Sequence, residues 1–490
     1  MKTIANTPLP GAVRQPGYDR RALRSRIVHL GFGAFHRAHQ ALLTDRVLNA
    51  HGGDWGICEI SLSGGVPLFE TLRQQDHLYS VLEKGADGHQ AIVIGAVHES
   101  LHRKLEGIAA VLEKLAEPQV AIVSMTITEK GYCIEPGSGR LDRQHSGIVA
   151  DLAWPHQPQT APGILVEALR LRRERGLPAF SLLSCDNIPE NGHVLRRAVL
   201  DLAQARDPSL ADWIATAATF PCTMVDRIVP AATPATLDEI AAALGGVRDD
   251  CAIACEPFIQ WVVEDNFAAG RPAWELACAQ LVSDVLPFEH MKLRMLNGSH
   301  SFLAYLGYLG GYRYINECMA DEHYRRAALR LMLDEQAPTL SVTGISLTDY
   351  AAQLIARFSN PALQHLTWQI AMDGSQKLPQ RLLDAVRWHL RHGGDYSGLA
   401  LGVAGWMRYV GGVDDADQPI DIRDPLADLL QQTIAATQDD RRRVAALLAL
   451  KSVFGETLAA HAAFSEAVTQ AYLSLRDRGA RETVKEWVMR

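Results

Sequence analysis

The stretch IVHLGFGAFHRAH at residues 27–39 decides the fold. A short apolar run leads directly into Gly31-x-Gly33, and residues with helical spacing follow. This order suits a dinucleotide site, because the first glycine makes a tight turn, the second admits a pyrophosphate to the backbone, and the helix N-terminus offers N–H groups to phosphate. The third position of the G-x-G-x-x-G pattern is His36, which indicates a looser helix–strand contact than glycine would give. An ordinary strand–turn–helix unit has the same glycines, so this pattern alone leaves the function open.

The pattern on either side of this stretch predicts two domains. Strand-like runs at 55–62, 120–128 and 179–187 alternate with helix-like runs at 37–50, 163–176 and 192–205, which indicates βαβ units. From about residue 286 the remaining runs have helical periodicity. We predict an irregular N-terminal arm at 1–24, an α/β domain of Rossmann type with a doubly wound parallel sheet at 25–285, and a mostly α-helical domain at 286–490.

Composition excludes several classes of protein. The formal net charge is −8, from 48 Lys and Arg against 56 Asp and Glu, which argues against a general nucleic-acid binder. No apolar run approaches the ~20 residues of a membrane helix, and the first residues lack a secretory h-region. We therefore expect a cytoplasmic protein without membrane or nucleic-acid partners, and the sequence leaves the oligomeric state open, a monomer included. The eight cysteines have no zinc-ligand spacing, so we expect reduced, mostly buried thiols and no metal.

The residue that would hold the ribose of a dinucleotide is harder to place. Glu59 in the second strand-like run lies 28 residues after Gly31, later than the usual spacing of about 20. It is a candidate for the ribose contact, and the alternative is a solvated charge in the strand.

Three polar residues sit in an otherwise apolar helical run, FEHMKLRMLNGSHSF. At about 100° per residue, with Lys292 at zero, His300 falls at about 80° and Asn297 at about 140°, so they share one face with Glu289. A lysine can exchange a proton with an alcohol or ketone, and an amide can donate to a developing oxyanion. The alternative is a solvated helix face, which the apolar continuation SFLAYLGYLGGY disfavours.

Several motifs in one order carry a resemblance to a known family. K-x-R-x-L-N-x-x-H at 292–300, together with GFGAFHRAHQ, TEKGY, SCDN-x-x-x-NG and VDRIVP, is similar to the mannitol dehydrogenase family of long-chain polyol and sugar-acid oxidoreductases. The similarity runs from about residue 25 to about residue 480. It implies a Rossmann-type domain, a helical C-terminal domain, NAD(H) as cofactor and no catalytic metal.

The resemblance also implies roles for individual residues. Lys292 would be the general acid/base, Asn297 and Asn187 would polarise the carbonyl, and His300 would position a substrate hydroxyl. The cofactor loop would consist of Leu30, Gly31, Phe32, Gly33, Ala34, Phe35 and His36. The substrate pocket would be lined by Asp226, Lys377 and Gln369. Glu129 and Glu289 would form a path for the proton to solvent. Other readings stay open, in which Asn187 is a turn residue, Asp226 and Arg227 form a surface ion pair, and Gln369 and Lys377 are solvated.

The resemblance also bears on the substrate. The mannitol-oxidising branch carries an arginine where this chain has Gln369 and a glycine where it has Lys130, which disfavours mannitol. Stretches such as TFPCTMVDRIVPAATP and TWQIAMDGSQKLPQRLLD are similar to sugar-acid members of the family. They imply NAD-dependent interconversion of D-fructuronate and D-mannonate. Altronate (tagaturonate) or mannitol oxidoreduction, and a regulatory protein that binds NAD without catalysis, are the alternatives.

Overall fold

The computed structural model describes residues 3–86, 88–135, 139–362 and 365–490. The chain forms two compact units, Met1–Leu286 and Pro287–Arg490. Within the described residues, no helix is long and apolar enough to span a lipid bilayer.

The first unit is built on strands, whose bounds are β1 (Arg24–Leu30), β2 (Trp55–Ser61), β3 (Tyr79–Gly85), β4 (Gly88–Ile94), β5 (Val97–His102), β6 (Ile122–Met125), β7 (Ser181–Ser184), β8 (Thr223–Asp226), β9 (Ile253–Cys255), β10 (Gln260–Glu264) and β11 (Gln280–Val282). The central sheet has the order β5-β2-β1-β6-β7 with all neighbours parallel. Because β2 and β6 flank β1 on opposite sides, the strand order reverses at β1, and ligands bind at the carboxyl ends of strands at such a switch point. The prediction of a doubly wound Rossmann-type sheet is confirmed.

The helices of this unit are α1 (Ala34–Ala38), α2 (Gln40–His51), α3 (Val66–Gln74), α4 (Arg103–Leu115), α5 (Ser146–Ala153), α6 (Ala161–Glu174), α7 (Asn191–Arg206), α8 (Pro208–Ala217) and α9 (Pro234–Ala243). Helices cover both faces of the central sheet, whereas α9 packs against β3, β4 and β9. Alternate residues of β1 enter different cores, Val28 and Leu30 packing with α4, α6 and α7, and Ile27 with α2 and α3. The strands are buried on both faces, which explains their continuous apolar runs.

Two features of this unit differ from the expectation. Small sheets β4-β3-β9 and β11-β10-β8 contain antiparallel pairs that the sequence pattern did not predict. The helix expected at 37–50 is broken at His39, whose ring nitrogen Nε2 lies 3.0 Å from the carbonyl oxygen of Gln260. The N-terminal segment is irregular but packed, since Ile4 and Val13 are buried against β3 and β4.

The second unit is helical, as predicted, with bounds α10 (Leu286–Met291), α11 (Ser299–Leu309), α12 (Ile315–Ala320), α13 (Glu322–Arg330), α14 (Leu347–Phe358), α15 (Thr367–Ala371), α16 (Gly374–Leu378), α17 (Asp384–His392), α18 (Ser397–Tyr409), α19 (Ala427–Ala435), α20 (Asp440–Leu448), α21 (Lys451–Ala459) and α22 (Ala462–Met489). Helices α11 and α18 are buried on nearly every side and form its centre. Three π-helical segments are named π1 (Lys292–Gly298), π2 (Leu331–Gln336) and π3 (Pro379–Leu383).

The cysteines are all free thiols, as expected. Seven are buried, whereas Cys278 is exposed.

One buried amide joins the end of β7 to β8. Asn191 at the start of α7 donates through Nδ2 to the backbone oxygens of Asp186, at 3.1 Å, and Thr223, at 3.0 Å. Its Oδ1 accepts from the backbone N–H of Thr223 at 2.9 Å. The loop after β7, which contains Asn187, is therefore fixed to the neighbouring strand.

We predict that Asn191→Ala lowers the free energy of unfolding by ~1–3 kcal/mol, because it leaves the N–H of Thr223 buried without its partner. Thermal unfolding followed by circular dichroism measures the change. Asn266→Ala is the matched control, since Asn266 is exposed on the same unit. Equal melting temperatures for the two variants would contradict the prediction.

Candidate active site

The glycine loop after β1 lies at the point where the strand order of the sheet reverses. Gly31 has φ +113°, and a Cβ there would lie 2.4 Å from the backbone oxygen of Thr126, so only glycine fits. Gly33 is exposed and precedes α1 without a side-chain cap. The N–H groups of Gly31 and Gly33 donate to the backbone oxygens of Ile60, at 2.9 Å, and Gly31, at 2.8 Å, so the N–H groups that this turn could offer a ligand are those of the first residues of α1. The side chains of Leu30 and Phe32 are buried, so the loop could meet a cofactor through its backbone and through Ala34 and Phe35, which are partly exposed. This cradle fits a dinucleotide pyrophosphate.

A buried imidazole pair lies beneath this loop. His36, in the place of the third glycine, stacks on His29 of β1 with ring centroids 3.4 Å apart. Its Nε2 lies 2.6 Å from Oε1 of Glu59 on β2. The expected loose contact between α1 and the sheet is therefore a direct ring contact instead.

Glu59 can neither hold a ribose nor be a solvated charge, so both predictions for it are wrong. Its side chain is fully buried in the middle of β2. Burial raises the pKa of Glu59 and lowers the pKa of His36, so the pair is held as two neutral, hydrogen-bonded groups.

The same cluster has spacing that a metal could bridge, with ligand atoms of His29, His36 and Glu59 within 4.8 Å of one another. Both ring nitrogens of His29 are already hydrogen-bonded, to Ser124 Oγ at 2.8 Å and Thr126 Oγ1 at 3.0 Å. We interpret the cluster as a hydrogen-bonded support for the glycine loop.

Asp186 organises the loops at the carboxyl ends of β6 and β7. Its carboxylate accepts from the backbone N–H groups of Ile127 and Thr128, each at 3.0 Å, and from the hydroxyl of Tyr132 at 2.6 Å. Neighbouring Asn187 is exposed, as is Glu129 in the 3₁₀ turn Glu129–Tyr132. The motifs TEKGY and SCDN thus form one hydrogen-bonded edge of the first unit, with an amide and a carboxylate at the surface.

Asp226 ends β8 and is buried. Arg227 is buried as well; it donates to the backbone oxygen of Glu256 at 2.7 Å and pairs with Glu83. The alternative of a surface ion pair between Asp226 and Arg227 is therefore wrong. Arg227 therefore has a structural role, because it joins the end of β8 to Glu256 and Glu83.

Lys292 and Asn297 lie on π1, not on an α-helix as the angular estimate assumed. In a π-helix the backbone hydrogen bond runs from residue i to i+5, so Asn297 lies about one turn after Lys292 and closer to it in angle than the expected ~140°. Both side chains are buried, and Nδ2 of Asn297 has no hydrogen-bond partner among the described residues. A buried amide donor without a partner is costly unless a ligand completes it. Glu289, on α10, is also buried.

The three π segments meet at Gly298. A Cβ on Gly298 would lie 2.6 Å from the backbone oxygen of Arg381 on π3 and 2.6 Å from Nε2 of Gln336 on π2. Ser299 donates its hydroxyl to Oε1 of Gln336 at 3.0 Å. This close approach fixes π1 against the rest of the second unit.

His300 follows π1 in α11 and is buried against Phe358, with ring centroids 4.3 Å apart. Burial lowers the pKa of His300 well below its usual value, with smaller contributions from His365, Arg357 and Arg381. The ring is therefore neutral near pH 7. A neutral imidazole has one nitrogen that can accept a hydrogen bond from a hydroxyl, whereas a protonated one can only donate.

Lys377 and Gln369 lie on short helices of the same unit. Lys377 on α16 donates to the backbone oxygens of Met372, at 2.6 Å, and Ile370, at 3.3 Å. Burial, followed by the charge of Arg381, lowers its pKa to about 8. Gln369 on α15 is exposed.

Sequence reasoning missed Asp186, Tyr132 and Arg381. Asp186 and Tyr132 lie inside the quoted motifs SCDN and TEKGY, so the motifs themselves were the available signal. Arg381 lies inside the quoted stretch TWQIAMDGSQKLPQRLLD, four residues after Lys377, but its residue type did not distinguish it from a solvated arginine in a helical run.

We predict that Gly298→Ala lowers the free energy of unfolding by ~1–3 kcal/mol, because its Cβ would overlap the backbone of Arg381. Gly402→Ala is the control, since a Cβ there meets only side-chain atoms, the nearest at 3.3 Å. Thermal unfolding compares the variants. A Gly298→Ala protein as stable as Gly402→Ala would contradict the close packing of the π segments.

Comparisons with known proteins agree with both units. Residues 25–276 match the mannitol dehydrogenase Rossmann domain, and residues 284–476 match the mannitol dehydrogenase C-terminal domain. The chain is 63% identical over 484 residues to the uncharacterized oxidoreductase YeiQ of Escherichia coli strain K12, covering 99% of each chain. It is 58% identical over 487 residues to D-mannonate oxidoreductase of the same organism, again covering 99% of each.

A solved structure has the same fold. Mannitol 2-dehydrogenase of Pseudomonas fluorescens, in a ternary complex with NAD and D-mannitol, superimposes with a TM-score of 0.86 at 39% identity, covering 98% of each chain. The resemblance found in the motifs is confirmed, and the chain belongs to the mannitol dehydrogenase family of oxidoreductases.

Proposed function

We propose that the chain is an NAD-dependent reductase of a keto-uronate, which interconverts D-fructuronate and D-mannonate with Lys292 as general acid/base. The observation that carries the proposal is the buried helical wall of π1 and α11. It presents an amine, an unpartnered amide and a neutral imidazole within nine residues of sequence.

The glycine loop is the proposed cofactor site. NADH, when bound, supplies the hydride that the carbonyl carbon receives. The first backbone N–H groups of α1, directly after the turn at Gly31 and Gly33, would hold the pyrophosphate. No Arg or Lys occurs in the segment LSGG that follows β2, so this chain offers no cation there for a 2′-phosphate, and we expect NAD(H) to be preferred over NADP(H).

Lys292 and two asparagines would manage the charge that develops on oxygen. As the hydride and its electron pair reach carbon, the carbonyl oxygen becomes negative and takes a proton from the Lys292 ammonium, which gives the alcohol. The amides of Asn297 and Asn187 would donate to that oxygen before proton transfer is complete. In the oxidative direction the neutral amine of Lys292 takes the proton back.

The other site residues have supporting roles in this proposal. Glu289, buried on α10 three residues before Lys292, and exposed Glu129 would pass the proton towards solvent. His300 would position a substrate hydroxyl. Asp226, Lys377 and Gln369 would line the substrate pocket.

The choice of substrate rests on the relatives and on charge. The chain is 58% identical to a D-mannonate oxidoreductase but 39% identical to a mannitol 2-dehydrogenase. Gln369, which replaces the arginine of the mannitol branch, is exposed. Tagaturonate and fructose are the competing substrates, because the same acid/base machinery would reduce either. An NAD-binding regulator would have no use for a buried lysine beside an unpartnered amide.

The test follows oxidation of NADH and of NADPH with D-fructuronate, D-tagaturonate and D-fructose side by side. We expect the highest kcat/KM for NADH with D-fructuronate. It should exceed that for fructose by at least ~10²-fold, because a site built for a charged group rejects an analogue that lacks it. Preference for tagaturonate or fructose, or for NADPH, would contradict the proposal.

The same assay tests the metal-independent mechanism. Activity should survive prolonged treatment with EDTA, because a lysine supplies the proton. A loss of activity that Zn²⁺ restores would contradict this part of the proposal.

A further inference from the structure

Arg381 on π3 places a guanidinium beside π1. Its Nη1 donates to the hydroxyl of Ser301 at 3.1 Å and lies 3.5 Å from the backbone oxygen of Asn297. Its buried Nε has no hydrogen-bond partner, and none of the described carboxylates forms an ion pair with it. The side chain as a whole is half-buried. The guanidinium is thus attached to the helix through one nitrogen and keeps donor capacity for another group.

A second cation, Lys377, lies near Arg381, and the carboxylates of Asp373 and Asp424 act on this pair. Lys377 lies one helical turn before Arg381, and the charge of Arg381 lowers the pKa of Lys377. Arg357 and Arg381 both act on buried His300. Asp373 is exposed and lies 3.9 Å from the Lys377 ammonium, and Asp424 accepts a hydrogen bond from the backbone N–H of Ser375.

A hydroxyl next to Arg381 is also without a partner. Tyr305 on α11 interacts electrostatically with Arg381, and its buried hydroxyl has no hydrogen-bond partner in the described parts of the chain. The Nε of Arg381 on π3, the hydroxyl of Tyr305 on α11 and the amide of Asn297 on π1 are therefore three donors without a partner among the described residues. Such donors, one of them on a guanidinium, suit an anionic, oxygen-rich ligand.

Burying a cation away from water is unfavourable unless a negative group approaches it. A carboxylate is the negative group that suits Arg381 best, because its two oxygens can accept two parallel hydrogen bonds from a planar guanidinium. D-Fructuronate has its ketone next to one end of the carbon chain, beside a primary alcohol, and its carboxylate at the other end. A substrate whose ketone oxygen is held by Asn297 could extend its carboxylate towards Arg381, whose guanidinium reaches the backbone of Asn297.

We propose that Arg381 binds the carboxylate of the substrate, with Lys377 adding positive charge, and so selects sugar acids over neutral sugars. The inference rests on the proposed function, and it names the residue that would make the proposed enzyme specific for sugar acids. A purely structural role for Arg381, as a tie between π3 and Ser301, is the alternative that the experiment must separate.

The test compares wild type, Arg381→Met and Arg381→Lys with D-fructuronate and D-fructose. The ratio of kcat/KM for fructuronate to that for fructose should fall by ~10²-fold in Arg381→Met, the usual size of a lost hydrogen bond to a charged group. Arg381→Lys should retain part of the ratio, because it keeps the charge and loses the fork. Inhibition by D-mannonate should weaken relative to inhibition by D-mannitol.

Arg294→Met is the matched control. Arg294 is a guanidinium on π1 that donates to the backbone oxygen of Thr339 at 2.7 Å, and burial lowers its pKa as it does that of Arg381. Its removal should leave the ratio unchanged.

Each outcome has a distinct meaning. An equal loss with both substrates in Arg381→Met and in Arg381→Lys would show a structural tie and overturn the inference, while wild-type activity on fructuronate would leave the proposed function standing. If Arg381→Met fails to fold, the ratio in Arg381→Lys decides. A wild type that prefers fructose would contradict the proposed function, and the inference with it.

Discussion

A primary amine buried on a π-helical turn is the constraint on which the site of the second unit depends. Lys292 can act as an acid or a base only if the helix holds it out of bulk water and beside groups that tolerate both of its charge states. The π1 segment does this by widening the helix, which brings Asn297 one turn after Lys292. π-Helical segments are rare in proteins, and those that occur are often found at functional sites. Gly298 lets two further π segments approach closely enough to hold π1 in that form.

In the first unit, the glycine loop after β1 is supported although His36 stands in the place of the usual third glycine. The stacked rings of His29 and His36 fill the space, and Glu59 completes the hydrogen bond. Burial keeps the pair neutral, so the support adds no charge beneath a loop that would receive a negatively charged pyrophosphate. Nearby, Asp186 holds the loops at the ends of β6 and β7 through backbone N–H groups. Both arrangements use buried polar groups to position exposed backbone and side chains.

Much of this could be predicted from sequence, because it depends on local patterns. The stretch at 27–39 predicted a strand, a glycine turn and a helix, and the alternation of strand-like and helix-like runs predicted the doubly wound sheet. The periodicity after residue 286 predicted the helical unit. The π form of the segment that carries Lys292 could not be predicted, since apolar spacing near 3.6 residues does not distinguish a regular α-helix from one with an inserted π turn. The partner of Glu59 could not be predicted either, because that contact joins residues 23 positions apart through the fold of a βα unit. Arg381 was missed for the same reason: its neighbours Ser301 and Asn297 are some 80 residues away in sequence.

The most direct test of the central claim is the turnover of Lys292→Ala, with Lys451→Ala as control because Lys451 is exposed and distant in sequence from π1. If Lys292 exchanges the proton, its loss should lower kcat by at least ~10²–10⁴-fold, the usual worth of a positioned acid/base. NADH binding should change little, and small primary amines added to the variant should restore part of the rate. A well-folded Lys292→Ala protein that keeps kcat within a few-fold of wild type would contradict the assignment of π1 as the catalytic wall.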